Sequence, residues 1–285
     1  MTSLASSLAT QLNVAAASLF ATFFPSDCRI CNAPLLNISR LPVCEDCLSA
    51  MQPISGALCS VCGERLAGLF AVSSEPGEVR CELCRRAGPP YIRAIAYGSY
   101  DGGLRELIHL LKYDKVRPAA NVLGRMLAEV IAELEPAFGS TEILVVPVPL
   151  HASKKRERGF NQSDLMARAA VKQSSLGGRL KLQSELLQRK RITKSQIGLT
   201  RHQRRENLRG AFTVTDPSEV AGRIVLLIDD VFTTGTTVSE CARILRRAGA
   251  SKVFVATAAR TLKNDAAHVE SSLEVETRMA MAATG

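Results

Sequence analysis

Apolar residues along the chain recur in two periods, one suited to strands and one to helices. Leu4, Leu8, Leu12, Ala15, Leu19 and Phe23 keep helical spacing in an uncharged stretch. They predict an amphipathic helix over residues 1–24 that docks on the rest of the protein. Residues 25–90 show little periodicity and many turn formers, and Gly88-Pro89-Pro90 closes them. From there the pattern changes. Tyr91–Tyr100 reads as a strand, and Asp101-Gly102-Gly103 as a turn. Leu104, Leu107, Ile108, Leu110 and Leu111 mark a helix, and a second runs over about Ala119–Leu134, ended by Pro136. Ile143–Val148 is a buried strand, and Asp164–Lys172 is helical. Residues 174–210 are polar and weakly periodic. Arg223–Ile228 is another buried strand, Val238–Ala248 a helix capped by Gly249, and Lys252–Thr257 a further strand.

Strands alternating with helices predict an α/β fold with a parallel sheet flanked by helices. The expected division is the helix 1–24, a small module over 25–90, the α/β domain over 91–267, and an acidic, then Ala/Met-rich tail over 268–285.

The stretch Val225–Thr237 reads VLLIDDVFTTGTT. Its four leading apolar residues, five with Ile224 before them, make a buried strand, and Asp229 and Asp230 stand at its carboxyl end, where ligands bind in open α/β sheets. Thr233, Thr234, Gly235, Thr236 and Thr237 form a turn of small residues before a helix. Gly235 lets the backbone approach a ligand. The helix N-terminus and the hydroxyls favour an anion. The whole is a cradle for one phosphate monoester beside two carboxylates. The carboxylates repel the phosphate, so they face ribose hydroxyls or a Mg²⁺ ion. A Walker loop is excluded, because no Lys ends the turn. Two chance acids at a buried strand end would be costly without partners.

Charge changes the picture next. The net charge is +9. The stretch from His151 to Arg209 holds 16 Lys and Arg against 4 acids, so it carries +12 and the rest of the chain −3. Such a segment attracts a polyanion, or simply solubilises a surface. Its first part, HASKKRERGFNQ, places Lys154, Lys155, Arg156 and Arg158 near Gly159, followed by Asn161 and Gln162. This reads as a loop able to wrap a pyrophosphate. Two prolines in Val145–Leu150 suggest an edge strand or strained backbone. The later part, Arg189–Phe212, has the polarity of a mobile lid, with Arg191, Thr193, Gln196, Arg205 and Asn207 along it. Among the histidines, His109 and His202 read as surface residues, and His151 lies near the pyrophosphate loop.

Eight of the nine cysteines form the pairs Cys28/Cys31, Cys44/Cys47, Cys59/Cys62 and Cys81/Cys84. Each C-x-x-C knuckle offers two thiolates, and two knuckles complete a tetrahedron around Zn²⁺. Sequential pairing gives two Cys₄ sites with separations of 12 and 18 residues. Cross-braced pairing is the alternative. Disulfides suit an exported protein, but no basic segment opens a signal peptide. The chain is therefore expected in the cytoplasm, without a membrane span. Cys241 reads as a buried core residue.

Val225–Thr237 resembles the phosphoribosyl pyrophosphate signature of type I phosphoribosyltransferases. The resemblance implies that Asp229 and Asp230 hold the ribose hydroxyls and that Thr233–Thr237 hold the 5-phosphate. The order of a C-x-x-C module, Leu111–Tyr113 (LKY), PVPLH, RGFNQ, a T-x-x-Q basic stretch, R-x-N and the signature is similar to the ComF-type competence family. That resemblance covers roughly residues 20–262. It implies a type I phosphoribosyltransferase fold behind an N-terminal double zinc ribbon, and a link to DNA uptake or utilisation. Lys112 is a candidate to reach the phosphates. Two functions follow. One is transfer of a phosphoribosyl group from phosphoribosyl pyrophosphate with Mg²⁺, Asp229 and Asp230 acting in catalysis. The other is a non-catalytic sensor of that ligand or of a nucleoside 5-phosphate. The sensor would act as an adaptor to single-stranded DNA or a competence-machinery protein. A homo-oligomer is compatible with either.

Overall fold

The computed structural model describes residues 26–35, 39–66, 79–191 and 200–262. The helix expected over 1–24, the tail 268–285, Thr193 and Gln196 lie outside them.

The core is a five-stranded, all-parallel sheet of β1 (Arg93–Ser99), β2 (Ile143–Pro147), β3 (Leu180–Leu182), β6 (Ile224–Phe232) and β7 (Lys252–Arg260), ordered β1-β7-β6-β2-β3. A parallel sheet is covered on both faces, so its strands read as continuous apolar runs. β2 is buried at every position, and β6 at all but Val231. On one face lie α3 (Gly102–Lys112), α4 (Ala119–Phe138) and α6 (Gln162–Gln173). On the other lie α8 (Thr236–Arg247) and an antiparallel ribbon of β4 (Leu187–Arg189) with β5 (Phe212–Val214). The cysteine module contributes α1 (Glu45–Ser49) and α2 (Glu82–Arg86).

This module covers the sheet's open edge. The Ile54 N–H donates to Tyr97 O at 2.7 Å, and the Ala94 N–H to Val61 O at 2.7 Å. Backbone groups of β1 that would otherwise invite another strand are thus paired. The two halves of the module part at this edge. Cys28, Leu41, Val43 and Met51 join the apolar layer of α3 and α4. Cys59, Cys62, Cys81 and Cys84 join the layer of α8.

Several expectations change. Pro136 does not end α4, which runs to Phe138 and stops at Gly139 with φ 63°. Proline removes one N–H and the last turn tolerates that. Pro147 does not mark an edge strand, because β2 sits between β6 and β3. The Val148 N–H points to Ile228 O on β6, so Pro147 turns its nitrogen to the β3 side. The β2–β3 register spans only Ile143–Val145, so no bond is lost. The segment Ala152–Arg158, expected as a loop, is a helix, α5, with Gly159 at φ 81° as its cap. His151 caps its start by accepting from the Ser153 N–H at 3.2 Å. The lid region starts at the end of β4, ends at the start of β5, and holds a helix, α7 (Arg201–Leu208), among its described residues. Arg191 ties its ends by donating to Asn207 O at 2.8 Å and Arg209 O at 2.9 Å. The last helix begins at Thr236, two residues earlier than expected, and Gly249, at φ 97°, ends it as expected, with the Ala250 N–H donating to Leu245 O at 3.0 Å.

Helices α4 and α6 cross closely at Gly124. A Cβ there would lie 2.4 Å from Ala169 Cβ and 3.0 Å from the Ala169 and Ala170 backbone. Alanine gains about 1 kcal/mol in helix propensity, but overpacking against backbone costs about 1–3 kcal/mol. Gly124→Ala is therefore expected to lower stability in urea unfolding by about 1 kcal/mol. An unchanged or higher midpoint would show that the two helices separate freely.

Candidate functional site

Strand β6 carries its two acids onto a fully buried stage. Asp229 is 9% and Asp230 6% exposed. Such carboxylates need donors, and α6 supplies them from its first turn. Ser163 Oγ donates to Asp229 Oδ1 at 3.0 Å, and Gln162 Nε2 to Asp230 Oδ2 at 2.9 Å. The Asp230 N–H also donates to Asp229 Oδ1, at 2.9 Å. The end of α3 adds a charge: Lys112 Nζ stands 2.8 Å from Asp230 Oδ2. Lys112 is thus neither a surface residue nor aimed at a phosphate cradle. It is the counter-ion of Asp230, and the ion pair raises its pKa against the burial that alone would lower it.

One cation of the basic segment joins this network by hydrogen bonds. Arg158 Nη1 donates to Gln162 Oε1 at 2.9 Å, and its guanidinium lies 5.4 Å from the centre of the Tyr113 ring. Asn161 caps α6, accepting from the Ser163 N–H at 3.2 Å and donating to Val148 O at 3.1 Å. The chain Arg158–Gln162–Asp230–Lys112 therefore links α5, α6, β6 and α3. Arg156 is exposed on α5, and no contact among the described residues ties it to the acids. Lys154 pairs with Glu157 on its own helix, and Lys155 with Glu185.

After β6 the chain turns at Gly235, φ 70°, and α8 starts with no side-chain cap on its N–H groups. The Thr234 and Thr236 hydroxyls are 2.8 Å apart. Thr233 is exposed, and Thr234, Thr236 and Thr237 are half-buried. An uncapped helix start, small residues and hydroxyls make an anion cradle at the surface. The structure thus brings together all of Thr233–Thr237 with the two acids. Sequence reasoning missed Ser163, whose place beside Asn161 and Gln162 was the available signal. It also misplaced His109, which is half-buried and shares a 2.9 Å hydrogen bond with the Tyr100 hydroxyl.

The cysteines form two groups, Cys28, Cys31, Cys44, Cys47 and Cys59, Cys62, Cys81, Cys84, each with its sulfurs within 4.8 Å of one another. Pairing is therefore sequential. Sulfur atoms at the corners of a tetrahedron 2.3 Å from zinc lie about 3.8 Å apart. Cys31 and Cys44 Sγ are 3.7 Å apart, as are Cys62 and Cys81 Sγ. This is far longer than a disulfide, and all nine cysteines are unbridged. Backbone N–H groups already point at sulfur, from Cys44 to Cys28 Sγ at 3.4 Å and from Cys81 to Cys59 Sγ at 3.2 Å. Hydrogen bonds from Cys62 and Cys84 hold the Cys59 thiol far below its ordinary pKa. The donor set fits zinc. Cys241 is buried in α8, and burial raises its thiol pKa.

Burial, and next the Asp230 charge, pushes the Asp229 carboxyl up to about 7. A carboxyl raised on folding stabilises the fold while protonated, and that contribution is lost as pH rises through the folded value. The ligand-free protein then carries an unfavourable charge at pH 8. Asp229→Asn is expected to raise thermal stability at pH 8 by roughly 1–3 kcal/mol and to change it little at about pH 3, below the ordinary value of the carboxyl. A loss of stability at both pH values would contradict this balance.

Comparison with known proteins agrees with this geometry. Residues 125–278 match the phosphoribosyl transferase domain family, and residues 19–86 the double zinc ribbon domain. The "DNA utilization protein YhgH" of Escherichia coli K12 is 32% identical over 84% of this chain and 98% of its own. "Competence protein F" of Haemophilus influenzae is 28% identical, over 82% and 96%. "Competence protein ComFC" of Bacillus subtilis is 25% identical, over 73% and 79%. Among the described residues no helix is long and apolar enough to cross a membrane. With its parallel sheet, its two buried acids before a glycine turn and its two Cys₄ clusters, the chain belongs to the ComF-type competence family, phosphoribosyltransferase-like proteins with an N-terminal double zinc ribbon.

Proposed function

We propose that this protein binds phosphoribosyl pyrophosphate with Mg²⁺ and transfers its phosphoribosyl group to an acceptor. The observation that carries the reading is two buried, adjacent carboxylates directly before a glycine turn and an uncapped helix start. Thr233–Thr237 and the first N–H groups of α8 would take the 5-phosphate. Asp229 and Asp230 would take the ribose hydroxyls. Ionised Asp229 is the better acceptor for those hydroxyls, so binding would strengthen as pH rises through about 7. Lys112, 2.8 Å from Asp230 Oδ2, fixes that carboxylate in place for the same task. Arg158, held by Gln162 and the Tyr113 ring, would face the pyrophosphate, and Gly159 and Asn161 would set its approach; Arg156 is free to join it.

Mg²⁺ would sit beside Asp229 and Asp230 and would neutralise charge on the leaving pyrophosphate. The protein's own part is to orient the sugar and to stabilise charge separating between C1 and the leaving group. The two Cys₄ clusters would hold about two structural zinc ions by ligand count, and the module over residues 25–90 would bind a partner or stiffen the domain over 91–267. Relatives named for competence and DNA utilisation favour a role beside DNA, in the cytoplasm.

A second reading has one observation in its favour. Asp230 is already engaged by Lys112 and Gln162, which suits a sensor that holds a nucleoside 5-phosphate without turnover. Incubation with phosphoribosyl pyrophosphate, Mg²⁺ and a panel of acceptor bases separates the two. Pyrophosphate release is expected, with a loss of at least about 100-fold in Asp229→Asn/Asp230→Asn by the usual weight of such electrostatic groups. Binding without release from any acceptor would favour the sensor. Metal analysis is expected to find about two zinc per chain, and none would sink that part of the account.

A further inference from the structure

A buried arginine outside the site joins the second cysteine cluster to the phosphate loop. Arg260 ends β7 and is 2% exposed. Its guanidinium donates to Cys62 O and to Glu64 Oε2 at 2.8 Å. Both acceptors belong to the knuckle that carries Cys59 and Cys62. The same guanidinium lies 4.8 Å from the centre of the Phe232 ring. Arg260 and Phe232 are also partners in the β6–β7 register, and the Thr261 N–H donates to Phe232 O at 3.1 Å.

The Phe232 ring in turn lies against the loop. A Cβ at Gly235 would stand 2.4 Å from Phe232 Cζ. The edge-on Tyr91 ring, its centre 6.4 Å away, limits how the Phe232 ring can move. Knuckle, guanidinium, ring and glycine turn therefore form one unbroken run of contacts. Among the described residues the buried guanidinium has one carboxylate partner, Glu64, so it is sensitive to that partner's position. A metal ion binding Cys59 and Cys62 fixes the knuckle. Without it, the Cys62 carbonyl and Glu64 can drift, and the ring that supports Gly235 loses its backing.

We propose that Arg260 is a positioning residue for the phosphate loop, through which metal in the Cys59–Cys84 cluster strengthens phosphoribosyl binding. The proposal rests on the phosphoribosyl reading of the loop. It assigns the zinc module a task inside this chain.

The test uses the full-length, zinc-loaded protein and calorimetric titration with phosphoribosyl pyrophosphate. In the wild type, stripping metal with a chelator is expected to weaken binding about tenfold or more. In Arg260→Met, with two zinc retained, binding is already weakened to a similar degree, and stripping adds less than about twofold. Such non-additivity marks two groups acting on one path. The ¹⁵N–¹H resonance of Gly235 should shift in Arg260→Met before any ligand is added, a change that mere loss of stability would not produce. Cys47→Ser, which opens only the first cluster, should bind as the wild type does. If Arg260→Met fails to fold, Glu64→Gln serves in its place, with a smaller loss in the same direction. Wild-type affinity in the substituted, folded protein, or no effect of stripping, overturns the proposal. So does an equal loss in Cys47→Ser. A wild type that binds no phosphoribosyl pyrophosphate at all instead defeats the reading of the loop.

Discussion

Two carboxylates buried side by side at the end of β6 are the constraint around which the domain is arranged. Unpaired, they would be costly, since burial and mutual repulsion act in the same direction. Three elements answer them. Strand β6 places the Asp230 N–H on Asp229, α6 brings Ser163 and Gln162, and α3 brings Lys112. Removing one partner from such a pair costs about 3–5 kcal/mol, so the site also specifies how α3 and α6 dock. The compensation is unequal. Asp230 has the Lys112 ammonium 2.8 Å from it, while the hydrogen bonds that reach Asp229 among the described residues come from neutral groups, and burial pushes its carboxyl up to about 7.

The cysteine module solves a different problem. Its buried residues Leu41, Val43, Met51 and Val61 pack into the layers of the α/β domain, and the four-sulfur clusters take the place of a separate core. Its placement is informative. The module covers the open edge at β1 with backbone hydrogen bonds and sends one cluster to each face of the sheet. The second cluster reaches the layer beneath α8, the helix that follows the Gly235 turn.

Much of this could be read along the chain, for identifiable reasons. Parallel strands are buried on both faces, so β2 and β6 stood out as unbroken apolar runs. The acids and Gly235 stood out because each is costly without a purpose. Cysteine spacing restricted the metal ligands, although only folding chose sequential over cross-braced pairing. What was hidden depends on contacts between distant residues. Nothing local to Lys112 says that it meets Asp230, and nothing local to Arg260 says that it meets Cys62, 198 residues away. The run Ala152–Arg158 misled because Lys154, Lys155, Arg156 and Glu157 are all exposed. It lacks an apolar stripe, yet His151 and Gly159 cap it into a helix at either end.

The central claim is that Asp229–Thr237 grips a ribose 5-phosphate. The most direct measurement follows the ³¹P resonances of phosphoribosyl pyrophosphate and of ribose 5-phosphate on titration with the full-length protein and Mg²⁺. The 5-phosphate resonance should shift for both ligands, and each should displace the other. Gly235→Val should abolish both shifts, because its side chain would strike the Phe232 ring. No shift of the 5-phosphate with the wild type, or shifts that survive Gly235→Val unchanged, would contradict the account.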